Sequence, residues 1–206
     1  MKSRNVLNII LALVVALAIG SCGNKKQEER QTVEEEGQII DSSMFVRLLS
    51  FDKQNITIQE LKTGKKQKYS YAQAQFEGEV KGDLHQGDTL SIFPETEGQR
   101  VRSIINVSEL VGQWFFDMAQ HRGVKFGHFG ALSSINMQNV SFRNWFVKNG
   151  QLIIHYVDMQ ETQGNARKYW VDHSKIISLS LDLLNFSFRD SIYQCQHQKG
   201  VINMKF

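Results

Sequence analysis

The chain is poor in cysteine, with Cys22 and Cys195 alone in 206 residues. That excludes a disulfide-built scaffold, so the fold must be held by burial. Proline is scarcer still, with Pro94 its one occurrence. An excess of one charge is also missing: 24 Lys and Arg stand against 21 Asp and Glu, with both signs in every segment. Such a distribution gives no electrostatic basis for nucleic-acid binding, which concentrates cations on one face. No G-x-S-x-G occurs. The one histidine cluster, His121-x6-His128 with Asp117 upstream, matches no standard zinc spacing. The expectation is therefore no catalytic residue, no metal site and no cofactor.

No apolar run is long enough to cross a bilayer as a helix. The longest, Val6 to Ile19, reaches roughly 21 Å at the helical rise against a hydrocarbon core of roughly 30 Å. Lys2 and Arg4 precede it and Gly20-Ser21 follow, which is the layout of an export signal over 1–21. Ile19-Gly20-Ser21-Cys22 resembles the bacterial lipobox, in which the cysteine thiol takes a lipid and becomes the first residue. Only a thiol can form that thioether, so Cys22 is the expected lipid attachment, and several acyl chains would hold the chain on a membrane. With Lys2 and Arg4 removed, 22 cations face 21 acids, a net +1. Residues 22–43 continue after Cys22 with GNKKQEERQTVEEEGQ, which has no apolar periodicity and reads as a charged tether. Lys25-Lys26-Gln27-Glu28-Glu29 is similar to the signal that exports lipoproteins to the cell surface in Bacteroidetes. The expected location is the bacterial cell envelope, as an outer-membrane lipoprotein with a surface-exposed form in view.

The remaining residues, about 160, show almost no helical period but many short alternating runs between turn signals, which predicts an all-β chain. Over 44–107, NITIQEL alternates Ile56 and Ile58 with polar residues, Gly64 turns the chain, and KYSYAQAQF resumes as a strand. Gly87-Asp88 precedes Leu90 and Ile92, Pro94 ends that strand, and RVRSIINV closes the unit. Five or six such strands look like a small OB-type barrel. In that fold Tyr69 and Tyr71 could stack bases, but beside Lys65, Lys66 and Lys68 they fit better a solvated hairpin that protects a sheet edge.

Over 108–206 the signals sharpen. Gly112-x-Trp114 starts a strand, and Asn149-Gly150 is a strong hairpin turn, with Leu152, Ile154 and Tyr156 on one face. KIISLSLDLLNFSFRD predicts two strands, one with Ile177, Leu179 and Leu181 inward and one with Leu184, Phe186 and Phe188 inward. SIYQCQ supplies the last strand. Gly112-x-Trp114, GALSSINM, Trp145, the NGQLII hairpin and the closing Ile177-to-Leu184 pattern together resemble the lipocalin-like lipoproteins of Bacteroidetes. The resemblance implies an eight-stranded up-and-down antiparallel barrel over the last 99 residues. True lipocalins also pack a last-strand arginine on the first-strand tryptophan, and IYQCQ has none. HRGVKFGHFG reads as a loop across the barrel mouth, and Cys195 as a small buried residue.

The fold expected is thus an OB-like barrel followed by a lipocalin-like barrel. The function expected is non-enzymatic capture of a small apolar or amphipathic ligand in or at the second barrel, with Trp114, Trp145 and Tyr156 as candidate ligand-binding residues. The alternative is a docking subunit of an envelope complex with filled barrels. Membrane contact runs through the lipid anchor, and no nucleic acid is expected.

Overall fold

A computed structural model describes residues 41–163 and 166–197. The export signal, Cys22 and the charged tether as far as residue 40 lie outside the described residues; residues 41–43, the last of the tether, are described. The first strands form because β-branched and aliphatic residues alternate with polar ones. They are β1 (Met44–Phe51), β2 (Asn55–Glu60) and β3 (Lys66–Ser70), followed by the short helix α1 (Ala72–Phe76), then β4 (Val80–Lys81), β5 (Thr89–Pro94) and β6 (Val101–Asn106). The sheet order is β3-β2-β1-β5-β6-β4, with β4 parallel to β6 and the other pairs antiparallel. A parallel bridge from Ser70 to Arg100 joins the end of β3 to the entry of β6 and curls the sheet on itself. Val46, Leu48, Ile56, Ile58, Leu90 and Ile92 meet inside, all fully buried.

One segment departs from the expectation. KYSYAQAQF is a strand only to Ser70, and AQAQF is α1, because Ala and Gln favour the helix and no β-branched residue resists it. Tyr69 and Tyr71 are buried, and the Tyr71 hydroxyl donates to the Asp52 carbonyl at 2.8 Å. Neither ring is an open platform.

A four-residue helix, α2 (Val107–Leu110), leads into β7 (Gly112–Asp117), β8 (Arg122–Phe126), β9 (Leu132–Ile135), β10 (Val140–Lys148), β11 (Gln151–Gln163), β12 (Ala166–Ser174), β13 (Ile176–Leu179), β14 (Leu183–Phe188) and β15 (Ser191–His197). Each pairs antiparallel with its neighbour in two sheets, β10-β11-β12 and β13-β14-β15-β7-β8-β9. Lys175 alone separates β12 from β13, so one bent path leaves one sheet and enters the other. Counted so, eight strands run up and down. The ends meet where Gln196 pairs Phe115 and His197 pairs Trp114. The β9–β10 seam is held by an Ala131–Asn144 bridge and by the Ser134 hydroxyl, which donates to the Val140 carbonyl and accepts from the Phe142 N–H.

Two details of the sequence reading change here. Ile177 and Leu181 are exposed while Ile176 is buried. A bulge is the cause: Ile176 pairs Phe186 and Ser178 pairs Asn185, leaving Ile177 as the extra residue and shifting the phase. HRGVKFGHFG does not cross the mouth, since Arg122–Phe126 is strand β8 and the following loop turns at the opposite, closed end. The face of β11 opposite Leu152, Ile154 and Tyr156 is also largely dry, with Ile153 and Val157 buried.

The barrel interior is filled. Trp114, Phe126, Phe142, Trp145, Phe186 and Phe188 are each at most 4% exposed. Their rings meet edge to face, Phe142 with Phe188 at 5.0 Å and Phe126 with Trp145 at 5.7 Å. The described residues form one contact-dense unit with two hydrophobic clusters. Strand β6 serves both, Ile104 facing the first cluster and Ile105 the second. The Asn149-Gly150 turn seats beside it: a Cβ on Gly150 would lie 2.4 Å from the Ser103 hydroxyl oxygen.

Candidate functional site

At the closed end, Trp114 is fully buried and its indole N–H donates to the Leu110 carbonyl at 2.9 Å. His197 packs on it edge-on, ring centroids 4.8 Å apart at 68°. The histidine ring occupies the space a side chain at position 112 would take, 2.5 Å from an added Cβ. The glycine of Gly112-x-Trp114 therefore makes room for the residue that covers the tryptophan. His197 fills the place for which IYQCQ offers no arginine.

The open end is a bowl of about 600 Å³ whose lining includes Phe116, Arg122, Met137, Val140, Arg189 and Tyr193. Strand ends and tight turns place its cations. Arg189 follows β14 with a left-handed backbone, φ 52°, fixed by its N–H to the Asp172 carboxylate at 2.8 Å. Its Nη2 donates to Asp158 Oδ2 and its Nε to the Tyr156 hydroxyl at 3.1 Å, and the guanidinium lies 4.8 Å from the Tyr156 ring centre. Arg122 donates through Nη2 and Nε to Asp117 at 2.7 and 3.2 Å and lies over Phe116. Arginine has five N–H groups in a rigid fork. Among the described residues nothing accepts from the Nη1 groups of either arginine, so each is positioned by a carboxylate yet retains donors for a ligand.

The charges agree with that geometry. The Arg189 hydrogen bond, then the Gln160 N–H, hold the Asp158 carboxyl below its ordinary range. The Gln120 N–H, then Arg122, do the same to Asp117. Burial pushes the Tyr193 phenol up, keeping it a neutral hydroxyl at the base of the bowl.

A second concavity, about 440 Å³ and mainly apolar, lies at the closed end, where Phe45 and Leu61 of the first sheet meet Val107, Val111, Phe129, Trp145 and Phe146. The candidate residues fall in three places and do not converge. Trp114 plugs the closed end. Trp145 is 4% exposed, donates its indole N–H to the Gly127 carbonyl at 3.1 Å and edges the apolar groove. Tyr156 is buried beneath Arg189 at the mouth. His121 and His128 stand at opposite ends of β8, and Cys195 is fully buried with its thiol pushed up to about 12 by burial. Sequence reasoning passed over Arg122, Arg189, Asp158 and His197. The last could have been found by continuing the alternation of Cys195 two residues on.

A closed up-and-down antiparallel barrel with a plugging tryptophan and a polar mouth defines the class. A family model described as lipocalin-like matches residues 106–199. No curated protein matches the chain. Among solved structures, a lipocalin-like protein from Bacteroides thetaiotaomicron is 23% identical over 44% of this chain and 97% of its own, with a TM-score of 0.36. The chain is all-β, and its C-terminal segment is lipocalin-like in sequence.

Proposed function

We propose that this chain is a non-enzymatic, lipid-anchored protein of the bacterial outer membrane, surface-exposed, that holds one small amphipathic molecule with an anionic end at the mouth of its C-terminal barrel. The observation that carries the reading is the pair of arginines at the bowl. Asp117 and Asp158 orient Arg122 and Arg189, whose remaining N–H groups suit a carboxylate or phosphate. Phe116, Met137, Val140 and Tyr193 offer the apolar part of a ligand a surface. Because the interior is filled, such a ligand lies at the barrel and not within it. The closing bridge from Ser70 to Arg100, the β1-β2-β3 meander and the helix after β3 support an OB-like reading of residues 44–107. Buried Tyr69 and Tyr71 support a role for those residues away from nucleic acid.

The filled interior favours a second reading, a docking subunit with no ligand. Native mass spectrometry of the full chain with oleate as probe separates the two. The proposal expects one oleate per chain, lost in Arg122→Ala/Arg189→Ala. No bound oleate, or equal binding by that variant, refutes mouth capture. The anchor is checked by intact mass: an acylated chain is expected from wild type and not from Cys22→Ser.

A further inference from the structure

We propose that the closed end of the barrel, with the apolar groove beside it, is a face for an anionic lipid surface, and that Phe129 enters the boundary between headgroups and acyl chains. Phe129 is fully exposed in the left-handed region, φ 56° and ψ 30°. A bulky residue there is held by its surroundings, and such outliers gather at working sites. The surroundings are visible: Gly130 follows at φ 79°, with the Trp145 carbonyl oxygen 2.6 Å from where a Cβ would be, so the loop cannot relax by accepting another residue there. Leu61 and Phe45, 50% and 39% exposed, continue the apolar surface across the groove.

Charge selects the occupant. Leu61 opens the β2–β3 turn, where Lys62, Lys65 and Lys66 are exposed against one carboxylate, Glu60, which accepts from the Thr63 hydroxyl. Apolar side chains flanked by lysines match a bilayer with anionic headgroups. Two copies meeting through this face would oppose the same lysines to one another. The path of the chain agrees. Ser42 N–H donates to the Asn149 side chain at 2.9 Å and Asn149 N–H to the Ser43 hydroxyl at 2.6 Å, so the described chain enters the fold at the closed end of the barrel. The proposed lipid at Cys22 is 19 residues before Asp41. This placement rests on the anchor reading for its orientation and turns the arginine-lined mouth away from the membrane.

The test uses the full chain, its acylation scored by intact mass, in vesicles of equal parts phosphatidylcholine and phosphatidylglycerol. A solvent-sensitive dye on Thr63→Cys reports the lysine turn and one on Gln120→Cys reports the mouth, with Cys195 buried and unlabelled and Cys22 either held in its thioether or, for the unacylated chain, replaced in Cys22→Ser. The expected result is protection from iodide at 63 and none at 120, lost in Phe129→Ser. Lys62→Gln/Lys65→Gln/Lys66→Gln should lower the docked-to-free ratio about fivefold per lysine, on the order of a hundredfold for all three. Equal quenching at the two positions overturns the proposal, as does equal protection in pure phosphatidylcholine. Protection without vesicles that grows with protein concentration also overturns it, in favour of a second copy. An unacylated chain that is still protected refutes the anchor and upholds the face; an acylated, unprotected chain does the reverse.

Discussion

Gly112→Ala offers a quantitative test of how the barrel floor is built. The new methyl would lie 2.5 Å from His197 Nε2 and 3.0 Å from its Cδ2, about 1 Å inside ordinary contact. The atoms it meets belong to a side chain at the end of β15, which can swing away while the strands hold. The cost is then the loss of the edge-on contact with Trp114, about 1 kcal/mol. His197→Ala removes the same contact directly and should cost the same. In the double variant the methyl finds the space already empty, so the total stays at about 1 kcal/mol, whereas independent effects would add to about 2. Urea unfolding of the four proteins, followed by tryptophan fluorescence, measures this coupling. Additive losses would refute the reasoning, because they would mean that the glycine serves something other than the histidine ring.

Gly123→Ala should be far worse than Gly112→Ala, because its Cβ would meet backbone, the Trp114 carbonyl oxygen at 2.2 Å and Phe115 Cα at 3.0 Å. Strand β7 must then move, with loss of at least about 3 kcal/mol in the same urea assay from overpacking and broken ladder bonds. The Asp158 carboxyl is held below its usual value by Arg189, so its contribution is fully present above the unfolded value of 3.8 and fades as pH falls through the lower folded value. Asp158→Asn should therefore flatten the acid limb of stability against pH. Cys195, fully buried with its thiol pushed up to about 12, should resist maleimide in the native protein and react on unfolding, which mass spectrometry can follow.

The strands were legible where alternation was regular and a turn residue fixed the register. β2 and β5 follow their side-chain patterns, and Asn149 and Gly150 take the positive φ values, 49° and 77°, that the hairpin requires. Legibility failed where one residue broke the period. Nothing in KIISLS marks Ile177 as a bulge, since the cause is the pairing with β14, a partner known only once the strands are aligned. AQAQF was hidden by following KYSY, because the strand period and the helix propensity overlap at Tyr71. At the mouth, Arg122 lies five residues and Arg189 thirty-one residues from its aspartate partner. The first pair is a turn contact that spacing suggests; the second exists only through β11 and β14 meeting across the barrel.

What fills the barrel also decides where it can act. Eight strands enclose an interior that side chains can occupy or a small ligand can share. Here Phe126, Phe142, Phe186 and Phe188 occupy it, each at most 4% exposed. Binding chemistry is thereby displaced to the ends, and the two ends differ in kind. The mouth carries two arginines that are each oriented by an aspartate, a directional arrangement suited to a discrete anionic group. The closed end carries Phe129, Leu61 and Phe45 with an exposed lysine turn, where contact is diffuse and scales with apolar area and surface charge. A packed core keeps the ends in register with each other, because β7 carries both Trp114 and the mouth residue Phe116, and β15 carries both Tyr193 at the mouth and His197, which covers Trp114. The proposed division is therefore one rigid body with recognition of a small molecule at one end and of a surface at the other.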